Sequence, residues 1–207
     1  MDLVKAYSKS VSYSPSFSMD PSPQGKRNQP DGIFWHGEEA CTASLAAAAW
    51  QRRGNSSKKW AASTEISCER HHGRNGRGAG HVDLLLKSPH GRHYLIESKF
   101  AWFKPGKNLQ KTVEKERKEA FRQACQAERS GFRNPWRLAL IFVAPWAESG
   151  TDACELWKRL YEEALEMQPD LSAFAELENH LVWDKKWHPG VGLLAFKLPS
   201  DWYHLRP

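Results

Sequence analysis

His81-Val82-Asp83-Leu84-Leu85-Leu86-Lys87, then Ser88-Pro89-His90-Gly91, then Arg92-His93-Tyr94-Leu95-Ile96-Glu97-Ser98-Lys99: this stretch decides the fold. Two apolar runs of strand length flank a Pro/Gly turn, the pattern of a β-hairpin. If Pro89-His90-Gly91 forms a three-residue loop with Gly91 left-handed, Ser88 faces Arg92. The same count pairs Leu85 with Leu95 and Asp83 with Glu97. Glu97 and Lys99, two apart on one strand, share a face, and Ser98 points away. Opposed carboxylates with Cβ atoms roughly 4.5–5.5 Å apart repel one another. A cation between them relieves that repulsion, so the pattern asks for a hard divalent metal with a lysine beside it.

Before the hairpin, Glu38 to Arg53 reads as a helix around Ala46-Ala47-Ala48-Ala49, with Gly54 as its stop. Thr42, Leu45, Ala49 and Arg53 follow Glu38 along one face. Trp60 to Glu69 reads as a strand, with Ile66 and Cys68 on one side and Glu65, Ser67 and Glu69 on the other. A basic, glycine-rich loop is expected from Arg70 to Gly80. After the hairpin, Lys107 to Arg129 has the period of a helix. Its apolar stripe is Leu109, Val113, Ala120, Phe121, Ala124 and Cys125, and Lys111, Lys115, Arg117, Lys118 and Arg122 colour the rest. Arg137 to Ala144 is a short, nearly continuous apolar run (Leu138 to Val143), as in a strand covered on both faces. Asp152 to Met167 reads as a helix capped by Asp152, with Leu156, Leu160 and Leu165 buried. Val191 to Leu198 closes as a strand. The expected order is helix, three strands, helix, strand, helix, strand.

The chain has 207 residues, 40% of them hydrophobic, enough for one good core. Residues 1–30, rich in Ser, Pro and Gly, bury too little to offset chain entropy and read as an N-terminal arm. Residues 31–207 then form one domain. A net charge of +6 favours a polyanionic partner. No apolar run reaches the ~18–20 residues of a membrane span, and no signal-peptide core is present. Cys41, Cys68, Cys125 and Cys154 are scattered, as expected of buried thiols in a reduced, cytoplasmic protein.

Asp83 and Glu97-Ser98-Lys99, in that order of elements, resemble the PD-(D/E)xK nuclease superfamily with its restriction-endonuclease-like fold. Val82 stands where the family's name has proline. The resemblance implies an α/β fold with an αβββαβ core, a mixed central sheet flanked by helices. It implies that Asp83, Glu97 and the Ser98 carbonyl bind Mg²⁺, for which Mn²⁺ can substitute. Lys99 orients the attacking water, and Glu38, preferred to Glu39, adds an acid from the first helix. The implied activity is hydrolysis of DNA phosphodiester bonds, as an endonuclease. The QxxxY element of the RecB-like branch is missing on the helix after Lys99.

Arg70, Arg74 and Arg77 of the loop, with Lys111, Lys115 and Lys118 of the following helix, are the expected phosphate contacts. Each choice has a plain counterpart. The triad could be a solvated ion pair at a sheet end, Glu38 could serve only the helix dipole, and the loop could be a connection. Glu65 and Glu69 read as a solvated strand face. Cys68 with His71, His72 and His81 lacks the second half of a zinc framework. There is no GxSxG elbow and no phosphate-binding GxxxxGK[ST] run. Packing is the default role of the ten tryptophans, and nothing in the sequence supports stacking by Trp102 or Phe103. Two other functions stay open, a non-cleaving nucleic-acid-binding or assembly module and an RNA-directed nuclease. A homodimer or larger complex also stays open.

Overall fold

The computed structural model describes residues 37–51, 59–71, 76–127, 132, 134–183 and 185–199. The arm over residues 1–30 lies outside the described residues, as do Arg53, Gly54, His72 and Arg74. In chain order the elements are α1 (Gly37–Gln51), β1 (Ala61–His71), β2 (Arg77–Lys87), β3 (His93–Phe103), α2 (Leu109–Gln126), β4 (Trp136–Pro145), α3 (Gly150–Glu166), β5 (Leu171–Trp183) and β6 (Lys186–Lys197). The strands form one six-stranded mixed sheet in the order β1-β2-β3-β4-β6-β5. β3 and β4 are parallel, joined through α2, and the other neighbours are antiparallel. The fold class is α/β.

Alternation along β4 sets the layers. Leu138, Leu140 and Phe142 face α1, where they meet Leu45, Ala49, Leu84 and Ile96. Ala139, Ile141 and Val143 face α2 and α3, where they meet Val113, Phe121, Leu156 and Leu160. A strand covered on both sides must be apolar, and β4 is apart from Arg137, whose guanidinium donates to the Ala124 and Ala127 carbonyls.

The hairpin forms as its residues direct. Ser88 N–H donates to the Arg92 carbonyl at 2.8 Å and Gly91 N–H to the Ser88 carbonyl at 2.9 Å. Gly91 takes φ +81°, which the loop requires and a side chain would resist. Leu85 pairs with Leu95. The expected register therefore holds near the turn, but the β2–β3 ladder covers only Leu84↔Ile96 to Lys87↔His93. Asp83 and Glu97 are not a ladder pair.

Several expectations change. The glycine-rich loop is shorter than expected, because Arg77 to Gly80 belong to β2 and pair with β1. Ser149, not Asp152, caps α3, its side chain accepting from the Asp152 N–H at 3.1 Å. Leu165 is half exposed and Ala164 is buried in its place, one residue round the helix. β5 is an addition to the expected order. Val182 is its one β-branched residue among Ala, Glu, Leu and Asn, and pairing with β6 overrides that weak propensity. Of the thiols expected to be buried, Cys41 is, Cys68 and Cys125 are partly so, and Cys154 is exposed. Among the described residues no helix is long and apolar enough to cross a membrane.

Candidate active site

The sheet forks at Asp83 and Glu97. Beyond Ile96, β3 keeps its ladder with β4 through Glu97↔Ala139 and Lys99↔Ile141. Before Leu84, β2 keeps its ladder with β1. Even that ladder skips one position: the common register would set Glu65 opposite Asp83, and the pair is missing. Glu65 sits at φ +52°, a left-handed conformation that costs a glutamate roughly 1–2 kcal/mol. Backbone strain of this kind concentrates at functional sites. Asp83 is thus released from ordinary pairing on both sides.

Its carboxylate instead reaches β3. Asp83 Oδ2 accepts from the Ser98 N–H at 2.7 Å and from the Ser98 hydroxyl at 3.2 Å. The Ser98 hydroxyl lies 3.0 Å from that of Thr42, which donates to the Glu38 carbonyl at 2.8 Å. A run of short hydrogen bonds therefore ties the N-terminal turn of α1 to the fork. Glu38 itself faces the site: Lys99 Nζ donates to Glu38 Oε1 at 3.3 Å and to the Ser98 carbonyl at 2.6 Å. Glu39 is exposed. Glu38 lies four residues before buried Thr42, which sets it on the inward face of α1.

Glu97 is 1% exposed. Burial, then the nearby Asp83 carboxylate, push its carboxyl up to about 8, against the opposing pull of Arg70. Burial likewise raises Glu38, Lys99 opposes, and Asp83 adds to the rise. Glu97 Oε1 accepts from Arg70 Nη2 at 2.8 Å. Its second oxygen, Oε2, is buried with no hydrogen-bond partner among the described residues. A buried carboxylate oxygen left unsatisfied is costly, so a cation or donor belongs there.

Arg70 corrects an expectation. It is not a surface phosphate contact on a loop but the penultimate residue of β1, 13% exposed, with its guanidinium inside the fork. It also donates to the His81 carbonyl and to the Gln123 carbonyl of α2, the latter at 3.2 Å. To get there it lies across Gly80, where a Cβ would sit 2.5 Å from Arg70 Cδ. A signal for this exists in the chain: Ile66 and Cys68 alternate inward, and the next member of that series is Arg70. Gly80 completes it, as a strand glycine marks a close approach.

The other expected phosphate-binding residues that are described do not join the cluster. Arg77 is exposed at the start of β2, 3.4 Å from Glu69. Arg74 lies outside the described residues. Lys111, Lys115 and Lys118 are exposed along one stripe of α2. Glu65 and Glu69 are exposed, as expected of a solvated face. Among the described residues no three His, Cys, Asp or Glu side chains converge closely enough to hold a metal ion between them. The donors at the fork are instead two carboxylates and a carbonyl, with Lys99 and Arg70 beside them.

No protein-family model, curated protein or solved structure matches this chain. Its chemistry has to be read from the site. Two acids and a carbonyl, one acid oxygen unsatisfied, suit a hard cation that keeps most of its waters, as Mg²⁺ does.

Proposed function

We propose that this chain is a Mg²⁺-dependent nuclease of the PD-(D/E)xK type, acting on DNA as an endonuclease. One observation carries the reading: Asp83, Glu97, Lys99 and Glu38 gather where the sheet forks, with Glu97 buried beside another acid and Oε2 unsatisfied. A fold does not keep such a group for stability, and perturbed acids of this kind mark functional sites. Asp83, Glu97 and the Ser98 carbonyl would hold the metal. Bound there, Mg²⁺ supplies charge stabilisation at the scissile phosphate and lowers the pKa of a water towards neutrality. Lys99 orients the attacking water and offsets charge growing on the phosphoryl oxygens. Glu38, 3.3 Å from Lys99 Nζ, keeps that ammonium aimed. The Ser98 N–H and hydroxyl fix the Asp83 carboxylate.

The non-cleaving alternative draws on a different observation. Arg70 and Lys99 already compensate Glu97, Glu38 and the Ser98 carbonyl, as in a self-contained ion network. Incubating the full chain with plasmid, single-stranded DNA and RNA, each with Mg²⁺, Mn²⁺ or EDTA, separates these readings. Cleavage should require the metal and fall about 10²–10³-fold in Lys99→Ala, the scale of removing one donor to the transition state. Asp83→Asn and Glu97→Gln should abolish it. Undiminished cleavage in EDTA or in both acid variants overturns the proposal. Cleavage of RNA alone moves the substrate, and no cleavage under any condition favours the non-cleaving module.

A further inference from the structure

A second basic surface lies beyond the fork. Three residues past Lys99 along β3, roughly 10 Å of strand, Trp102 opens into a cleft of about 780 Å³. Lys104 and Lys107 of the β3–α2 connection, Lys111 and Lys115 of α2, and Lys186 of β6 line it. Among the described residues the lining sets one acid, Glu116, against these five ammonium groups, and that acid is 3.1 Å from Lys115 Nζ. Charge of one sign drawn from three separate elements repels itself, so this wall is built to meet an extended polyanion.

The aromatic groups divide two tasks. Trp146 positions cations: Lys186 Nζ lies 4.6 Å and Lys104 Nζ 6.0 Å from its ring centroid. Trp102 is 43% exposed, its ring packed edge-on with Phe100 and His188. Trp102 offers an exposed aromatic surface beside these lysines, and such a surface suits a flat aromatic group. Phe103, the neighbour, is fully buried and serves the core.

We propose that this cleft binds a single-stranded stretch of polynucleotide, with a base stacked on Trp102 and the phosphates on Lys104, Lys107, Lys111, Lys115 and Lys186. Lysine grooves with an exposed aromatic platform bind single strands in this way without reading sequence. Duplex bases are stacked on each other and cannot offer a face to Trp102. A lone phosphate group would leave most of the lysines unmatched. The inference rests on the nuclease reading only in naming the form of its substrate, and binding is measurable without cleavage.

The test titrates the full chain, in EDTA, with a fluorescent dT oligomer, an rU oligomer, a duplex of mixed sequence and tripolyphosphate, over a range of salt. Single strands should bind more tightly than duplex. Trp102→Leu should weaken single-strand binding about tenfold, the scale of one stacked base, and leave tripolyphosphate binding unchanged. Lys104→Ala/Lys186→Ala should lower the slope of log K against log salt by about 0.7 for each phosphate no longer neutralised. Circular dichroism confirms that both variants fold. Wild-type affinity for single strands in both variants overturns the proposal, and so does duplex binding that is equal to single-strand binding and independent of Trp102. Tripolyphosphate competing as well as an oligomer of equal charge also overturns it, reducing the cleft to an anion site. Metal-dependent cleavage that needs Asp83 but ignores these variants refutes the cleft and spares the nuclease. Trp102-dependent binding with no cleavage in any metal does the reverse.

Discussion

Glu97 is held by the fold against its own charge, and this has a thermodynamic sign. Its folded pKa, about 8, lies above the ordinary 4.5. Between those values the unfolded chain has released a proton that the folded chain retains. Its contribution to stability is therefore fully present below about pH 4.5 and is lost as pH rises towards 8. The slope is at most about 1.4 kcal/mol per pH unit. Glu97→Gln keeps an acceptor for Arg70 and removes the titration. Urea unfolding from about pH 5 to about pH 8 should show a flatter profile in the variant than in wild type. Parallel profiles would rule out a buried, proton-retaining Glu97. Glu65 supports a second test at this scale. Glycine in a strand usually costs roughly 0.5–1 kcal/mol, but at φ +52° Glu65→Gly should be neutral or stabilising by up to about 1 kcal/mol. A loss of stability in that variant would show that Glu65 is unstrained.

At the level of elements, β1 reaches across β2 to serve β3. Arg70 lies over Gly80 to meet Glu97, so a methyl group at position 80 should expel it. Gly80→Ala should destabilise the protein by about 1–3 kcal/mol, through overpacking and the loss of a charge-assisted hydrogen bond. In an Arg70→Ala background the same change should cost little. A double-mutant cycle measures this coupling, and additive effects would mean that Arg70 and Gly80 act separately. The hairpin and α2 are legible in the sequence because each carries its own period and its own turn or cap residues. β5 is not, since Leu171 to Trp183 has no such signature and becomes a strand only beside β6. Arg70 is hard to place from sequence because a basic residue next to glycines reads as loop. Its strand phase, inward after Ile66 and Cys68, is the better guide.

For the whole molecule, a site of two carboxylates and a carbonyl at the fork should couple ion binding to folding. At a free Mg²⁺ or Ca²⁺ concentration about 100 times Kd, stabilisation is about 2.7 kcal/mol, or roughly 5–11 °C in Tm for a chain of this size. Wild type should show this shift, and Asp83→Asn/Glu97→Gln should not. An equal shift in both would place the ion elsewhere. The sequence by itself determined the hairpin, its register near the turn and the α/β class. All of these follow from local periods and from counting along paired strands. Only the tertiary structure decided that the ladder opens before Asp83 and that Arg70 fills the opening. It alone set Glu38 on Lys99 and left Trp102 exposed among lysines. Those features depend on where separate elements meet in space, and burial and charge compensation act across that distance without leaving a period in the chain.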